Sequence, residues 1–551
     1  MPRITQSILN ASSHWILLPI GLPKNKLTIQ RYFSACRQYI FHNQLLFLFI
    51  IIGLAIRIVF WIYTGRTWED ALITLTPARN AWEGFGLTHH ASEPRVHSYT
   101  SPISVLIPLL GEAVGQGLFA LKFASLVGSG ATIYYAYRIG QFLCFHWSAQ
   151  ALVLGYLATD QLQVFFGMSG METQIATAIA LANGYYYLSS QWWKLGLAVG
   201  MGLICRPEFL LWVPILGVSL LIFERKALLP VIAASAFVAA PWYLFAIFYY
   251  GSPIPHTIIA KSLSYRYSFL SPWTTPLIWD YAAESWKSVA PFREFWYAIG
   301  TPISDTVLRI IVALIIALAL IGVGRSVFDN KRMLGIATFV AAFVIYRTGS
   351  VLPTYFMWYL PPFVALLFVL AGYGLSTIAA HNPPTAAVLG LAMAFVYALH
   401  IPFSFPLDRK YQKEIDEAVR LKVGAELNKR MTMEDTAVLE PLGYIGWAAR
   451  NKTIYDMPGL GSKISVEALS QRSDATISGL VDALKPTYIV VRPQELEALR
   501  KNYPETADLY SLVFEKQAKA GLEFVNMGYR YVIIDDHYKI LKRRSEKSRR
   551  H

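Results

Sequence analysis

Residues able to do chemistry come in short clusters along this chain, separated by long apolar runs. The first is Glu69-Asp70, in WEDALIT at 68–74, directly after an apolar segment. Apolar positions at Leu72, Leu75, Ala78 and Trp82 follow with helical spacing, predicting an amphipathic helix with both acids at its N-terminal end. Such a pair either caps the helix or supplies an ionised carboxylate as general base for a hydroxyl nucleophile. Arg79 and Asn80 lie on the same stretch, in ARNAWEGFGL. A run of hydroxyls comes next, HSYTSPIS at 97–104, with Tyr99 inside it and Pro102 placed to start a helix. Glu172, in SGMET, and Arg206 with Glu208, in CRPE, are charges at or within membrane depth. An arginine there pairs with a carboxylate, here Glu172 or Glu208, or meets an anionic ligand. YGSPIPHTIIAKS at 250–262 brings His256 and Lys261. The lysine either snorkels to the interface or holds a phosphate as a point charge. Arg347 and the rings Tyr355, Trp358 and Tyr359 complete the set, the rings also fitting an aromatic belt.

Missing motifs narrow the chemistry further. The chain has no GxxxxGK[ST], no GxGxxG opening a helix, no HExxH and no CxxC. A nucleotide-driven mechanism therefore has no visible parts, and an activated substrate has to bring the energy. Cys36, Cys144 and Cys205 are too scattered for a disulfide framework. No cofactor is firmly implied. A divalent metal fits only if Glu69, Asp70 and Glu172 converge.

These residues need a membrane body to hold them. Of 551 residues, 55% are hydrophobic and 15% charged, against about 25% charged in soluble chains. With a mean hydropathy of +0.40, this excludes an all-soluble protein and a disordered one. The net charge of +14 invites a nucleic-acid reading, but the charges are not gathered into a basic-aromatic groove. Residues 408–551 carry 25 Lys or Arg and 21 Asp or Glu, more than half of the chain's charges. No nucleic acid is expected as a partner; the bilayer is.

Residues 1–43 hold five basic residues and no acid, and read as a cytoplasmic N-terminal segment. Gln44–Tyr63 then spans the bilayer. Ten further spans are expected at about 119–138, 149–167, 172–190, 195–206, 209–223, 228–250, 308–324, 333–347, 357–379 and 385–402. The fold class is thus an α-helical polytopic membrane protein of about 11 transmembrane helices with a C-terminal α/β domain. Alternation puts Arg138, Lys194, Arg325 and Arg332 in the cytoplasm. It puts long loops at 64–118 and 251–307 outside, with the C-terminal domain. The expected organisation is 1–43, then a transmembrane domain over 44–403, then a soluble α/β domain over 404–551 with a basic tail. Strands are expected at 436–440, 452–457, 487–491 and 529–535, and the tail KILKRRSEKSRRH reads as a solvated basic run.

In order, WEDALIT–ARNAWEGFGL, YTSPIS, SGMET, RPE, YGSPIPHTIIAK and LGYIGWAARNKTIYDMPGL resemble the C-type (GT-C) glycosyltransferases that use polyprenyl-phosphate sugars. These belong to the broad protein-mannosyltransferase superfamily. The nearest likeness is to its bacterial branch resembling the mycobacterial terminal arabinofuranosyltransferases. The resemblance runs from about residue 45 to 495. It implies an enzyme of the bacterial inner (plasma) membrane with an extracytoplasmic active site. Its donor is a polyprenyl-phosphate sugar, and its acceptor a cell-envelope glycan, a glycolipid or a protein hydroxyl. Carried over by position, Asp70 is the catalytic base with Glu69 as the alternative. Arg206, Lys261, His256 and Arg347 are then expected at the donor phosphate. Arg79, Asn80, Tyr99, Glu172, Glu208 and Tyr355 are expected to contact substrate. His256 stands where that branch usually has Asn, and His97-Ser98-Tyr99 replaces a Glu-Gly-Tyr. The competing reading is a transporter or flippase of lipid-linked saccharides, which usually shows an internal repeat; none is visible here.

Overall fold

The computed structural model describes residues 26–90, 92–264, 289–291, 301–349, 357–519 and 535–544. Contacts divide the chain into two units, 1–48 and 49–551. Of the first, the described part is the opening of the helix Lys26–Thr64. The second holds a helical bundle and a small sheet domain.

All eleven apolar segments fall on helices. By length and composition, six helices among the described residues cross a membrane unaided, or seven if one bent pair counts as a span. The six include Asn43–Thr64, Gly117–Phe142, Arg225–Tyr250, Thr306–Asp329 and Pro361–His381. The protein is a multi-pass membrane protein. The segments at 195–206 and 209–223 form shorter apolar helices. The one expected at 149–167 is broken in two at Asp160, whose carboxylate accepts from the Gln163 N–H and restarts the helix. Arg57 secures that break from the first span by donating to the carbonyls of Leu157 and Ala158.

The bundle has two chemically different ends. The helix Thr173–Leu188 links them, about 24 Å long at 1.5 Å per residue. Near its C-terminus Arg332 donates to the Leu188 carbonyl (3.1 Å) and pairs with Glu224 (2.7 Å), while Arg138 donates to Tyr185 (2.6 Å). Glu172 and Arg206 meet at its N-terminus.

The sheet domain has five strands: β1 (Thr436–Leu439), β2 (Thr453–Asp456), β3 (Tyr488–Val491), β4 (Tyr510–Gln517) and β5 (His537–Arg543). Their order is β2-β1-β3-β5-β4. The first three are parallel and β5 runs antiparallel to β3 and β4. Val438 and Ile489 pack on one helical layer; Ala437, Leu439 and Val490 pack on the other. Three expected strands stand where the pattern placed them. The fourth, at 529–535, lies almost wholly outside the described residues. The start of the basic tail is not solvated: KILKR completes β5 between β3 and β4, with Tyr538, Ile540 and Leu541 buried. Its alternating apolar positions outweigh its charges, because a strand turns only every second side chain outward.

Candidate functional site

Glu69 and Asp70 start the helix Glu69–Trp82, and neighbours on a helix point about 100° apart. That angle separates their fates. The Glu69 carboxylate accepts from the Gly443 N–H (2.9 Å) and forms an ion pair with Arg420, both in the C-terminal region. Asp70 turns the other way, with Ile73 and Thr74 one turn on, into a cavity at the end of the bundle. Ser98, Glu172, Thr257, Lys261, Tyr359 and Leu460 face the same cavity. At about 50 Å³ it has room for about three to five waters at roughly 10–15 Å³ each. A larger ligand enters only as the walls part.

The cavity's electrostatics centre on Asp70 and Lys261. Burial raises the Asp70 carboxyl to about 6, Lys261 works against that rise, and Glu172 and Glu440 add to it. Burial alone would lower the Lys261 ammonium, but Tyr359, to which it donates, and Asp70 outweigh it and raise it. Lys261 and Thr257 share a face of the helix His256–Ser264, one turn apart.

Arg206, 2% exposed, is held on three sides. It donates to Glu172 (2.8 Å), to the Trp358 carbonyl (2.6 Å) and to the Thr173 hydroxyl (2.8 Å). It thereby ties the 172–173 turn to 358, and its guanidinium also lies 5.2 Å from the Tyr359 ring. Of the two readings open for this arginine, the carboxylate pair is the one formed, with Glu172. Glu208 is buried, within electrostatic reach of Arg206, Glu172 and Lys261, and its Oε2 has no hydrogen-bond partner among the described residues. Arg347 lies within reach of Tyr359 and Glu208.

Of the other expected site residues, Tyr99 also reaches the cavity, while His256, Arg79 and Asn80 are placed elsewhere. His256 turns toward the sheet domain, 3.4 Å from the Ser462 carbonyl. Arg79 clips helices together through Glu83 (3.0 Å) and Glu112 (2.6 Å). Asn80 donates to the carbonyls of Thr88 and His89, both 2.9 Å, and shapes the loop behind the site. Tyr99 lines the cavity with its hydroxyl 2.7 Å from that of Tyr250. Tyr355 lies outside the described residues. Glu69, Asp70 and Glu172 do not converge, and no group of three or more His, Cys, Asp or Glu among the described residues could hold a metal ion.

Three contributions were not anticipated. Lys122 is buried and donates to the Arg66 carbonyl (2.7 Å) and the Thr67 hydroxyl (3.1 Å), bracing the segment that leads into Glu69. A lysine near the start of an apolar span was the available signal. Leu460 roofs the cavity from the sheet domain, its loop pinned by Asp456, which accepts from the N–H groups of Gly459 (3.2 Å), Leu460 (2.5 Å) and Gly461 (2.9 Å). Glu93 reaches from the first loop to the start of the helix Lys463–Ser470, accepting from the Ser462 hydroxyl (2.6 Å) and the N–H groups of Lys463 (2.7 Å) and Ile464 (3.1 Å). A carboxylate from one part of the chain thus caps a helix in another.

Contact between the two parts is close enough to exclude side chains. A Cβ on Gly443 would collide with Glu69 Cγ and lie 2.6 Å from the Glu69 carbonyl oxygen. One on Gly461 would lie 2.9 Å from the His89 ring.

No curated protein matches the sequence. Residues 409–540 match a family described as a domain of unknown function, DUF8728. Among solved structures, the chain is similar to ArnT from Cupriavidus metallidurans bound to undecaprenyl phosphate, at TM-score 0.50 and 12% identity, covering 91% of this chain and 98% of that one. The apo state of the same protein gives TM-score 0.52 and 12% identity, over 92% and 98%. An Archaeoglobus fulgidus oligosaccharyltransferase tethered to an acceptor peptide gives TM-score 0.52 and 12% identity, over 87% of this chain and 73% of that one. The chain shares the fold of these GT-C glycosyltransferases.

Proposed function

We propose that this protein is a membrane glycosyltransferase moving a sugar from a polyprenyl-phosphate donor to a hydroxyl of a cell-envelope glycan, a glycolipid or a protein. The reaction takes place on the outer side of a bacterial plasma membrane, and the motif order favours the branch that includes the arabinofuranosyltransferases. The observation that carries the reading is the meeting of Asp70 and Lys261 in one cavity at the end of the bundle, beneath the sheet domain. Asp70 takes the proton of the acceptor hydroxyl. With its carboxyl raised to about 6, it is ionised at neutral pH and more basic than an ordinary aspartate. The acceptor oxygen bonds to the anomeric carbon as the bond to phosphate breaks on the opposite face, inverting the centre. Polyprenyl phosphate departs as an anion, and its developing charge is met by Lys261 and, from further off, Arg347 and Arg206. Fixed cations do this best where water is scarce. Because the phosphate is already a good leaving group, no second acid is required of the kind glycosidases use.

The test is to incubate the purified protein with labelled polyprenyl-phosphate sugars and follow release of lipid phosphate. Wild-type turnover that disappears in Asp70→Asn supports the assignment. Equal turnover in that variant moves the base elsewhere, and a product with retained configuration rules out single displacement.

A further inference from the structure

Two buried hydroxyls in the cavity wall have no hydrogen-bond partner among the described residues. Ser98 is 2% and Thr257 4% exposed, both line the cavity, and neither side-chain oxygen has a hydrogen-bond partner among the described residues. Leaving a buried polar group unpaired is costly, so two in one wall call for an explanation beyond packing. They come from segments 159 positions apart, yet the His256 N–H donates to the His97 carbonyl (3.0 Å), which sets the two next to each other. The backing is rigid: the His97 ring stacks on Tyr250 at 4.8 Å, and the Tyr250 hydroxyl donates to the Leu87 carbonyl (2.9 Å). The wall also holds Thr100 and Ser101 but no carboxylate. Of the cavity's acids, Glu172 is committed to Arg206 and Asp70 lies beside Lys261. Neutral hydroxyls that both donate and accept match the hydroxyls of a neutral sugar.

Resting on the glycosyl-transfer reading above, we propose that Ser98 and Thr257 form the sugar-recognition wall of this site, each bonding a ring hydroxyl of a neutral transferred sugar. Thr257 sits one turn from Lys261 on the same helix, so one element holds the phosphate and one face of the sugar it carries.

The experiment uses the full-length protein, the polyprenyl-phosphate sugar it turns over best, and the monodeoxy analogues of that donor. Ser98→Ala and Thr257→Val each lower kcat/KM for the parent donor by roughly tenfold, while Thr257→Ser retains it. For one monodeoxy donor Ser98→Ala equals wild type, and for a different one Thr257→Val does, because the lost hydroxyl no longer has a partner to miss. Without donor, the thermal midpoint of Ser98→Ala is not lowered, since an unpaired hydroxyl contributes no bond. Wild-type kcat/KM in both variants, a deficit equal across all deoxy donors, or a midpoint several degrees lower would each overturn the proposal. A wild type inert toward every polyprenyl-phosphate sugar fails earlier, before any variant is made. That result overturns the reading on which this one rests.

Discussion

Glu69 and Asp70 are adjacent in sequence but belong to two different charged regions. On the Glu69 side each carboxylate in the contact is paired with an arginine. Arg66 pairs with Asp408 (3.7 Å) and Asp416, and Arg420 with Asp416 (3.0 Å) and Glu69. On the Asp70 side, Lys261 faces the carboxylate across a cavity, and Ser98, Thr257 and Glu208 keep polar atoms unmatched. Ion pairs between distant segments hold two parts of a chain together. Groups that face a cavity keep their interactions for something that arrives. The same helix end serves both because successive residues face apart.

Substitutions can break this contrast. Asp70→Asn should lower turnover by roughly 10²–10⁴-fold with the thermal midpoint unchanged. Glu69→Gln should reverse the pattern, lowering the midpoint while leaving most of the turnover, as activity and melting assays on the same preparations would show. Arg420→Ala takes the arginine from Glu69 and leaves Asp416 with Arg66 alone, and should cost about 3–5 kcal/mol of stability, read by denaturant or thermal unfolding. The pH profile sharpens the contrast without mutation. A base works ionised, so with its carboxyl raised to about 6, kcat/KM should hold above that value and fall about tenfold per unit below it. A profile flat down to pH 4.5 would show that a different group is the base. Glu93→Gln should have the smallest effect, about 1–3 kcal/mol, seen as a modest drop in the thermal midpoint.

Much of this was legible beforehand. The helix 69–82, the apolar segments and three parallel strands followed from period and composition, which are local properties. The choice between Glu69 and Asp70 was not, because it depends on Arg420 and Gly443, more than 300 residues away. Arg206 was read with two possible partners, and only the approach of the 172–173 turn selects Glu172. Lys122 and Glu93 brace or cap from a distance, and neither motif nor spacing marks such roles. Charge density misled once: KILKR looked like a solvated tail, whereas its alternate positions bury Tyr538 and Ile540 within the sheet.

Gly443 and Gly461 have a consequence for exchange between proteins. Where the bundle and the sheet domain touch, neither position has space even for a methyl group. A sheet domain grafted from another protein onto this bundle must bring hydrogen in place of a side chain at both points. The added methyl of Gly443→Ala should act as a wedge, and limited proteolysis between 431 and 436 would report the loosening. The two parts are therefore not interchangeable modules: they constrain each other's sequence at single positions.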